Sequence, residues 1–342
     1  MKAAYLREWN HLSVCQVDDP VPQRGEALLK VLYGGICGSD ITVYRGLHMT
    51  AKAPVVLCHE ILGVVESLPE DYRGDIKIGE QVLVNPVMEC GVCAACRSGL
   101  GNVCESLKLL GIHENGGFAE YVKVRADRMV PVSGEIPVEI SALSEPFAVA
   151  YHVTEQAGVK QKDRVLIIGA GTIGLVVALT AREKNVKEVI IAEINPQRRK
   201  IAEKLGFQTI DTAEKDIREA VLENTGQVGY DVVIDASGAK AIIAVLPDLC
   251  RSGGRILELS LSGANFEFPI GKISFKEQKL LGSRLYSHDH FEAGVKMLAA
   301  LAKKYPLEIL VADIIPLDET MKGIEKMMNG QACGKILVKC NE

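Results

Sequence analysis

Cys90, Cys93, Cys96 and Cys104 follow one another with gaps of two, two and seven residues, in a stretch rich in small side chains. Four thiolates this close can wrap tetrahedrally around one Zn²⁺ and leave no position open, which makes a structural site and not a catalytic one. A disulfide framework is one competitor. The chain starts Met1-Lys2-Ala3-Ala4-Tyr5-Leu6-Arg7, without the apolar core of a secretory signal, and pairing these four leaves the rest of the ten cysteines unaccounted for. An iron–sulfur cluster is the other. The bacterial ferredoxin run needs a last gap of three followed by proline, whereas here the gap is seven and Glu105 follows. The quartet is therefore expected to hold a structural zinc.

A second constellation points to phosphate. Arg164-Val165-Leu166-Ile167-Ile168 reads as a strand and runs into Gly169-Ala170-Gly171-Thr172-Ile173-Gly174, after which an apolar helix begins. In this arrangement Gly169 permits the tight turn, Gly171 lets the backbone approach a pyrophosphate, and Gly174 lets helix pack on strand. Free N–H groups and the dipole at the helix start, around Thr172 and Ile173, favour the anion. A lone glycine motif is weak, but here the next apolar strand, Val189-Ile190-Ile191-Ala192, ends on Glu193. That carboxylate stands where the ribose hydroxyls of an adenosine are read, and it would repel a 2′-phosphate. NAD is expected over NADP. Arg198 and Arg199 lie on the following helix and complicate that expectation, since either has the charge to pair with a 2′-phosphate. They come five and six residues after Glu193, so a solvated helical face is the preferred role, with Arg198 counted among the cofactor-binding candidates.

Three separated pieces carry further metal-binding side chains: Gly35-Ile36-Cys37-Gly38-Ser39-Asp40, then Cys58-His59-Glu60, then Ser144-Glu145-Pro146. An open zinc site uses three protein ligands and keeps its fourth position for water or substrate, where the ion acts as a Lewis acid. Taken singly, Cys37 could be a buried thiol, His59 a satisfied histidine and Glu145 a helix-start carboxylate. Spacing alone cannot bring the pieces together.

The elements that must position these groups divide the chain in two. A length of 342 residues is too long for one ordinary core. Residues 1 to about 145 are dense in glycine and short β-type runs, such as Ala27–Tyr33 and Gln81–Val84, and read as irregular and mainly β. After Glu145-Pro146 a helix over 147–162 is expected. Strand and helix patterns then alternate: Val165–Ile168, Leu175–Lys184, Glu188–Ala192, Gln197–Leu205, Val232–Asp235 and Arg255–Leu259. This predicts a parallel sheet covered on both faces. A helix Phe291–Ala302, a strand near Ile309–Ile315, a helix Thr320–Met328 and a strand Lys335–Val338 close the chain. No internal repeat or low-complexity segment is present. The expected domains are 1–146, with a zinc lobe at 88–106, then 147–290, then a return over 291–342. With 48% hydrophobic and 24% charged residues the chain reads as globular. A net charge of -5 and the lack of a basic stripe argue against nucleic acid, and no apolar run reaches membrane-span length. Cytoplasm is the expected compartment.

With all these motifs in order, and with Gly116-Gly117-Phe118-Ala119-Glu120-Tyr121 between them, the whole chain resembles the zinc-containing medium-chain dehydrogenases/reductases of the alcohol dehydrogenase superfamily. Glu145-Pro146 in place of a third cysteine ligand resembles the polyol, threonine and sugar-acid branch. Leu110-Gly111-Ile112-His113-Glu114-Asn115-Gly116-Gly117-Phe118 looks most like the aldonate dehydrogenases acting on galactonate or gulonate. The resemblance implies an α/β fold, a doubly wound Rossmann domain beside a GroES-like, mainly β catalytic domain, with the active cleft between them. It implies two zinc ions per chain and NAD, the catalytic zinc on Cys37, His59 and either Glu60 or Glu145. A secondary hydroxyl of a polyol or sugar acid would be oxidised reversibly to a ketone, in a homodimer or homotetramer.

Two positions depart from that family. Its usual glycine before the zinc histidine is Cys58 here, read as a small buried thiol in preference to an oxidant-sensitive one. Ser39 occupies the proton-relay position, but the histidine expected three residues later is Thr42. A hydroxyl relays a proton without storing one near neutral pH, so release is expected through Ser39 and water, with His48 a distant candidate. For the acid end of a substrate, Arg284 and then Arg45 are the candidate readers, because a guanidinium pairs bidentately with a carboxylate.

Overall fold

The computed structural model describes residues 1–132, 136–260 and 265–341. The chain divides into two compact units, residues 1–145 with 286–342, and residues 146–285. The return to the first unit thus begins at Tyr286, earlier than residue 291.

In the first unit the organising element is the strand Glu26–Gly35, whose buried and half-buried residues alternate. That alternation is the pattern of a strand with one face on a core. It is the hub of a seven-stranded sheet ordered Met129–Pro131, Gln81–Val84, Glu60–Ser67, Glu26–Gly35, Lys335–Lys339, Val311–Pro316, with Tyr121–Arg125 also paired to the hub. Glu60–Ser67 and Lys335–Lys339 both run antiparallel to the hub, one on each side. A three-stranded sheet of His11–Gln16, Lys2–Glu8 and Val55–Val56 completes the β frame. Strand Lys335–Lys339 comes from the far end of the sequence, so the unit is assembled from both ends of the chain.

The second unit is a six-stranded, wholly parallel sheet in the order Gln208–Asp211, Glu188–Glu193, Arg164–Ile168, Tyr230–Asp235, Cys250–Glu258, Lys279–Gly282. Numbered within the unit this is 3-2-1-4-5-6, the doubly wound dinucleotide-binding order. The central strands are buried almost throughout, as helices on both faces require. The two edge strands carry exposed and polar residues and lack the apolar run that marks the inner ones, so the sequence pattern passed over them. The helix expected over 147–162 is Ser144–Gln156; it stops where Gly158 takes a φ of +57°. Among the described residues no helix is long and apolar enough to cross a membrane.

Candidate metal and cofactor sites

The hub strand delivers Cys37. Just past its end, Cys37 caps the helix Gly38–Tyr44, and Asp40 answers by accepting the Cys37 backbone N–H at 2.8 Å. Sheet register does the rest. Gly35 pairs with Glu60 on one neighbouring strand and with Leu337 on the other. His59 and Glu60 are thereby set beside Cys37, and Lys335 is set opposite Glu60. The ligand atoms of Cys37, His59 and Glu60 lie within 4.8 Å of one another. Glu145, buried in the first turn of Ser144–Gln156, is outside that set and accepts the Tyr286 hydroxyl at 2.8 Å.

The site is rich in buried negative charge. Burial alone would lower the His59 pKa, but Cys37, Asp40 and Glu145 overcome it and push it up to about 10. Burial, partly offset by His59, lifts Glu145 to about 6. Lys335 is equally buried and stays charged against burial because Glu60 and Cys37 surround it; its Nζ donates to Glu60 Oε1 at 2.5 Å and to the Ile36 carbonyl at 3.1 Å. Among the described residues, buried His59 Nδ1 and Glu60 Oε2 have no hydrogen-bond partner, and Asp40 Oδ1 is 4.0 Å from that His59 nitrogen. One sulfur, one imidazole and one carboxylate in a negative, buried pocket with orphaned polar atoms fit a zinc ion. Asp40, Tyr286 and Lys335 went unassigned in the sequence. Asp40 lies in the same short segment as Cys37, whereas Tyr286 and Lys335 reach the site only by contacts distant in sequence.

The positions flanking the site include both family departures. Cys58 is fully buried with a φ of +86°, the left-handed region that costs an L-residue roughly 1–2 kcal/mol. Burial and then Asp40 push its thiol well up, the opposite of a reactive thiolate. Gly116 is obligatory beside it, since a Cβ there would sit 2.0 Å from the Cys58 carbonyl oxygen. Ser39 Oγ is buried without a hydrogen-bond partner among the described residues, while Thr42 Oγ1 donates to the Gly38 carbonyl at 3.1 Å within its own helix. His48 Nδ1 accepts the backbone N–H groups of Thr50 and Ala51 at 3.3 and 3.2 Å. Arg45 is exposed at the end of the Gly38–Tyr44 helix, and Arg284 is exposed near the end of the second unit.

The four-cysteine lobe is a closed set. The sulfurs of Cys90, Cys93, Cys96 and Cys104 lie within 4.8 Å of one another, with Cys90–Cys96 at 4.0 Å and Cys93–Cys104 at 3.8 Å. Backbone N–H groups point at them: Val92 and Cys93 toward Cys90, Cys96 toward Cys93, and Cys90 toward Cys104. The first two hold Cys90 down to about 6. Such donors stabilise thiolates, and the cluster fits a structural zinc.

In the second unit each glycine of the cradle has a distinct setting. Gly169 adopts a φ of +98°, a Cβ on Gly171 would meet nothing within 4 Å, and one on Gly174 would sit 1.9 Å from the Gly169 carbonyl oxygen. Gly171 caps the helix Thr172–Glu183 without a side chain. The first N–H groups, from Thr172, Ile173 and Gly174, are left for a ligand. Glu193 is buried, accepting Ala170 N–H at 2.6 Å on one oxygen and Asn195 N–H at 2.8 Å on the other. Each oxygen keeps a lone pair for a ribose hydroxyl. Arg199 is committed to the Glu193 and Ile194 carbonyls and to Asp211, and Arg198 is half-buried on the same helix. The cradle fits a dinucleotide.

Fold and sites together define a nucleotide-dependent oxidoreductase whose mixed β unit carries a metal centre. Residues 23–137 match the alcohol dehydrogenase GroES-like domain, and residues 172–300 match the zinc-binding dehydrogenase domain. The chain is 31% identical to 2-dehydro-3-deoxy-L-galactonate 5-dehydrogenase of Pseudoalteromonas atlantica, over 94% of this chain and 93% of that one. It is 30% identical to L-threonine 3-dehydrogenase of Rhizobium rhizogenes, over 93% of each. A short chain alcohol dehydrogenase (rspB) of Escherichia coli CFT073, solved with NADH, superimposes with a TM-score of 0.91 at 30% identity, covering 99% of both chains. A putative zinc-binding dehydrogenase of Sinorhizobium meliloti, solved with NADP, gives 0.90 at 30% identity, covering 99% of this chain and 98% of that one. The chain belongs to the zinc-binding medium-chain dehydrogenases of the alcohol dehydrogenase family. It is an alcohol or polyol dehydrogenase with a GroES-like and a Rossmann domain, using NAD(P) to act on a small molecule.

Proposed function

We propose that the enzyme oxidises a secondary hydroxyl of a sugar acid of the L-galactonate or L-gulonate kind, with NAD as the preferred acceptor and two zinc ions per chain. The observation that carries the chemistry is the Cys37–His59–Glu60 cluster, its histidine and glutamate buried and its cysteine half-buried, with Glu145 acting on His59 in charge if not in ligand distance. When bound there, zinc supplies Lewis-acid stabilisation of developing negative charge on the substrate oxygen, and the dinucleotide supplies the hydride acceptor. The chain's own part is positional. Cys37, His59 and Glu60 hold the metal, with Glu145 able to exchange for Glu60. Lys335 balances the Glu60 charge, Asp40 faces His59 and Tyr286 steadies Glu145. Ser39 Oγ takes the hydroxyl proton and passes it outward to water, a role open to it because no group among the described residues claims it. Gly169, Gly171, Thr172, Ile173, Gly174 and Glu193 bind the cofactor, with Arg198 at its edge. The buried Glu193 carboxylate supports NAD, since a 2′-phosphate would meet it at the cost of desolvated like charges.

The sugar-acid reading is supported by the relative named for a deoxygalactonate substrate; the threonine dehydrogenase relative keeps L-threonine as the alternative. Arg284, and less so Arg45, would read the carboxylate. A cytoplasmic homodimer or homotetramer belongs to the same reading and rests on family resemblance. Initial rates with L-galactonate, L-gulonate, sorbitol and L-threonine, each with NAD and NADP, test it. The expected result is the highest kcat/KM for an aldonate with NAD, and a larger loss on aldonate than on sorbitol in Arg284→Met. A higher value for L-threonine, or for NADP, contradicts it.

A further inference from the structure

Asp235 and Glu258 are the last residues of two neighbouring strands of the parallel sheet, Tyr230–Asp235 and Cys250–Glu258, wholly within the second unit. They are direct register partners, so their side chains stand next to each other on one face of the sheet, within hydrogen-bonding reach. Asp235 is fully buried and Glu258 half-buried. One oxygen of each is well used. Asp235 Oδ1 accepts the Ser237 hydroxyl at 2.6 Å and the Ser237 and Gly238 N–H groups at 2.8 and 3.3 Å, while Glu258 Oε1 accepts the Ser260 N–H at 2.8 Å. The other two, Asp235 Oδ2 and Glu258 Oε2, are buried and have no hydrogen-bond partner among the described residues.

Two carboxylates cannot bond each other, and like charges directly opposite one another repel. A single proton between the orphaned oxygens removes both problems. A cation could bridge them too, but both atoms are closed to solvent, and a proton fits there without opening the structure. Burial, opposed by Ser260 and joined by Asp235, pushes the Glu258 carboxyl up, which marks it as the group that keeps the proton. The flanking strands set Ile168 beside Asp235 and Gly282 beside Glu258. Of the charged residues on the segments around this face, Lys240, Glu267 and Arg284 are exposed and Lys272 is paired with Asp248.

The turn that Asp235 holds reaches the cofactor cradle. Strand order reverses between Arg164–Ile168 and Tyr230–Asp235, the place where such sheets bind ligands. There the Ala236 N–H donates to the Ile168 carbonyl at 2.9 Å, and a Cβ on Gly169 would sit 3.3 Å from Ser237 N. Turn and cradle therefore meet through bare backbone.

We propose that Glu258 is a positioning residue of the dinucleotide site: in its acid form it donates a hydrogen bond to Asp235 Oδ2, and Asp235 then holds the Ser237–Gly238 turn against Gly169. As pH rises the proton leaves Glu258 for solvent, two carboxylates face each other, and the turn moves off the cradle. The role rests on the nucleotide reading of the cradle; the shared proton does not.

ADP-ribose, which carries the dinucleotide's diphosphate without its nicotinamide, is the probe. Calorimetry on the zinc-loaded protein between about pH 5 and about pH 9 covers the range above the ordinary carboxylate pKa. In the starting protein Kd is expected to rise at least about fivefold with pH, the lower end of ordinary coupling between sites. Glu258→Gln keeps a donor for Asp235 and an acceptor for Ser260 but has no proton to lose, so it should bind tightly throughout. Glu258→Leu has no donor and should bind weakly throughout, with thermal midpoints reporting whether each variant is folded. In the infrared, the acid end of the range should show a protonated-carboxyl stretch that Glu258→Gln lacks. The same pH dependence in the starting protein and Glu258→Gln, or none in either, would overturn the positioning role. Identical carboxyl bands in the two would overturn the shared proton. If ADP-ribose binds no form, the nucleotide reading of the cradle and the positioning role both fail, while the infrared band still decides the proton.

Discussion

Replacing His59 with alanine is expected to lower kcat/KM by at least about a thousandfold, the scale on which losing one preorganised electrostatic stabiliser is felt. It should also reduce the zinc content from two ions per chain to one. With a metal in place of the proton that Cys37, Asp40 and Glu145 hold on it, His59 would be the nitrogen donor beside the Cys37 sulfur and the Glu60 carboxylate. Without it the metal loses one of three ligands, while Lys335 still offsets the Glu60 charge. The remaining ion should be the one in the cysteine lobe, which shares no residue with this cluster. Metal analysis and initial rates on one preparation check both halves. Retention of both ions with activity within tenfold would remove His59 from the ligand set.

Cys104→Ser is expected to lower the thermal midpoint by about 10 °C, corresponding to a loss on the order of 3–5 kcal/mol when a metal site is destroyed. The lobe has little core to fall back on. Val92, Leu100 and Val103 are exposed, whereas Cys104 is buried and its sulfur accepts the Cys90 backbone N–H at 3.3 Å. Its regular structure amounts to the single-turn helix Ala94–Arg97 and the short 3₁₀ turn Gly101–Val103. A segment of that kind depends on its metal for order. Loss of one zinc, new proteolytic cleavage within 88–106 and catalysis retained by the folded fraction at low temperature should accompany the shift. A midpoint unchanged after the lobe zinc has gone would show that the lobe is held by something other than the ion.

What could be read from the sequence follows the distance along the chain between interacting groups. The cysteine quartet and the glycine cradle each lie within a short segment, so spacing alone carries their chemistry, and Glu193 was placed by the strand that ends on it. Cys37 and His59 are different. Only the pairing of Gly35 with Glu60 brings them together, and registers between antiparallel strands are not written in residue periodicity. The resemblance supplied that link. Lys335 had no local signal whatever: its partner Glu60 is 275 residues away, and Tyr286 is 141 residues from Glu145. In the second unit the inner strands were legible from their continuous apolar runs. The edge strands Gln208–Asp211 and Lys279–Gly282 were not, since one side of each has no neighbour demanding apolar residues. Cys58 stands out as a departure from the family's glycine, but its positive φ, the physical reason glycine suits that position, is set by the surrounding fold and not by local sequence.

The central claim is that a metal held by Cys37, His59 and Glu60 makes this chain an NAD-dependent dehydrogenase. Its most direct test is NADH formation from L-galactonate by the same protein as purified, stripped of metal by a chelator, and reloaded with zinc. Turnover should be present at first, vanish with the metal and return with zinc. Undiminished NADH formation by the stripped protein, with metal analysis showing that the Cys37–His59–Glu60 site has been emptied, would contradict it.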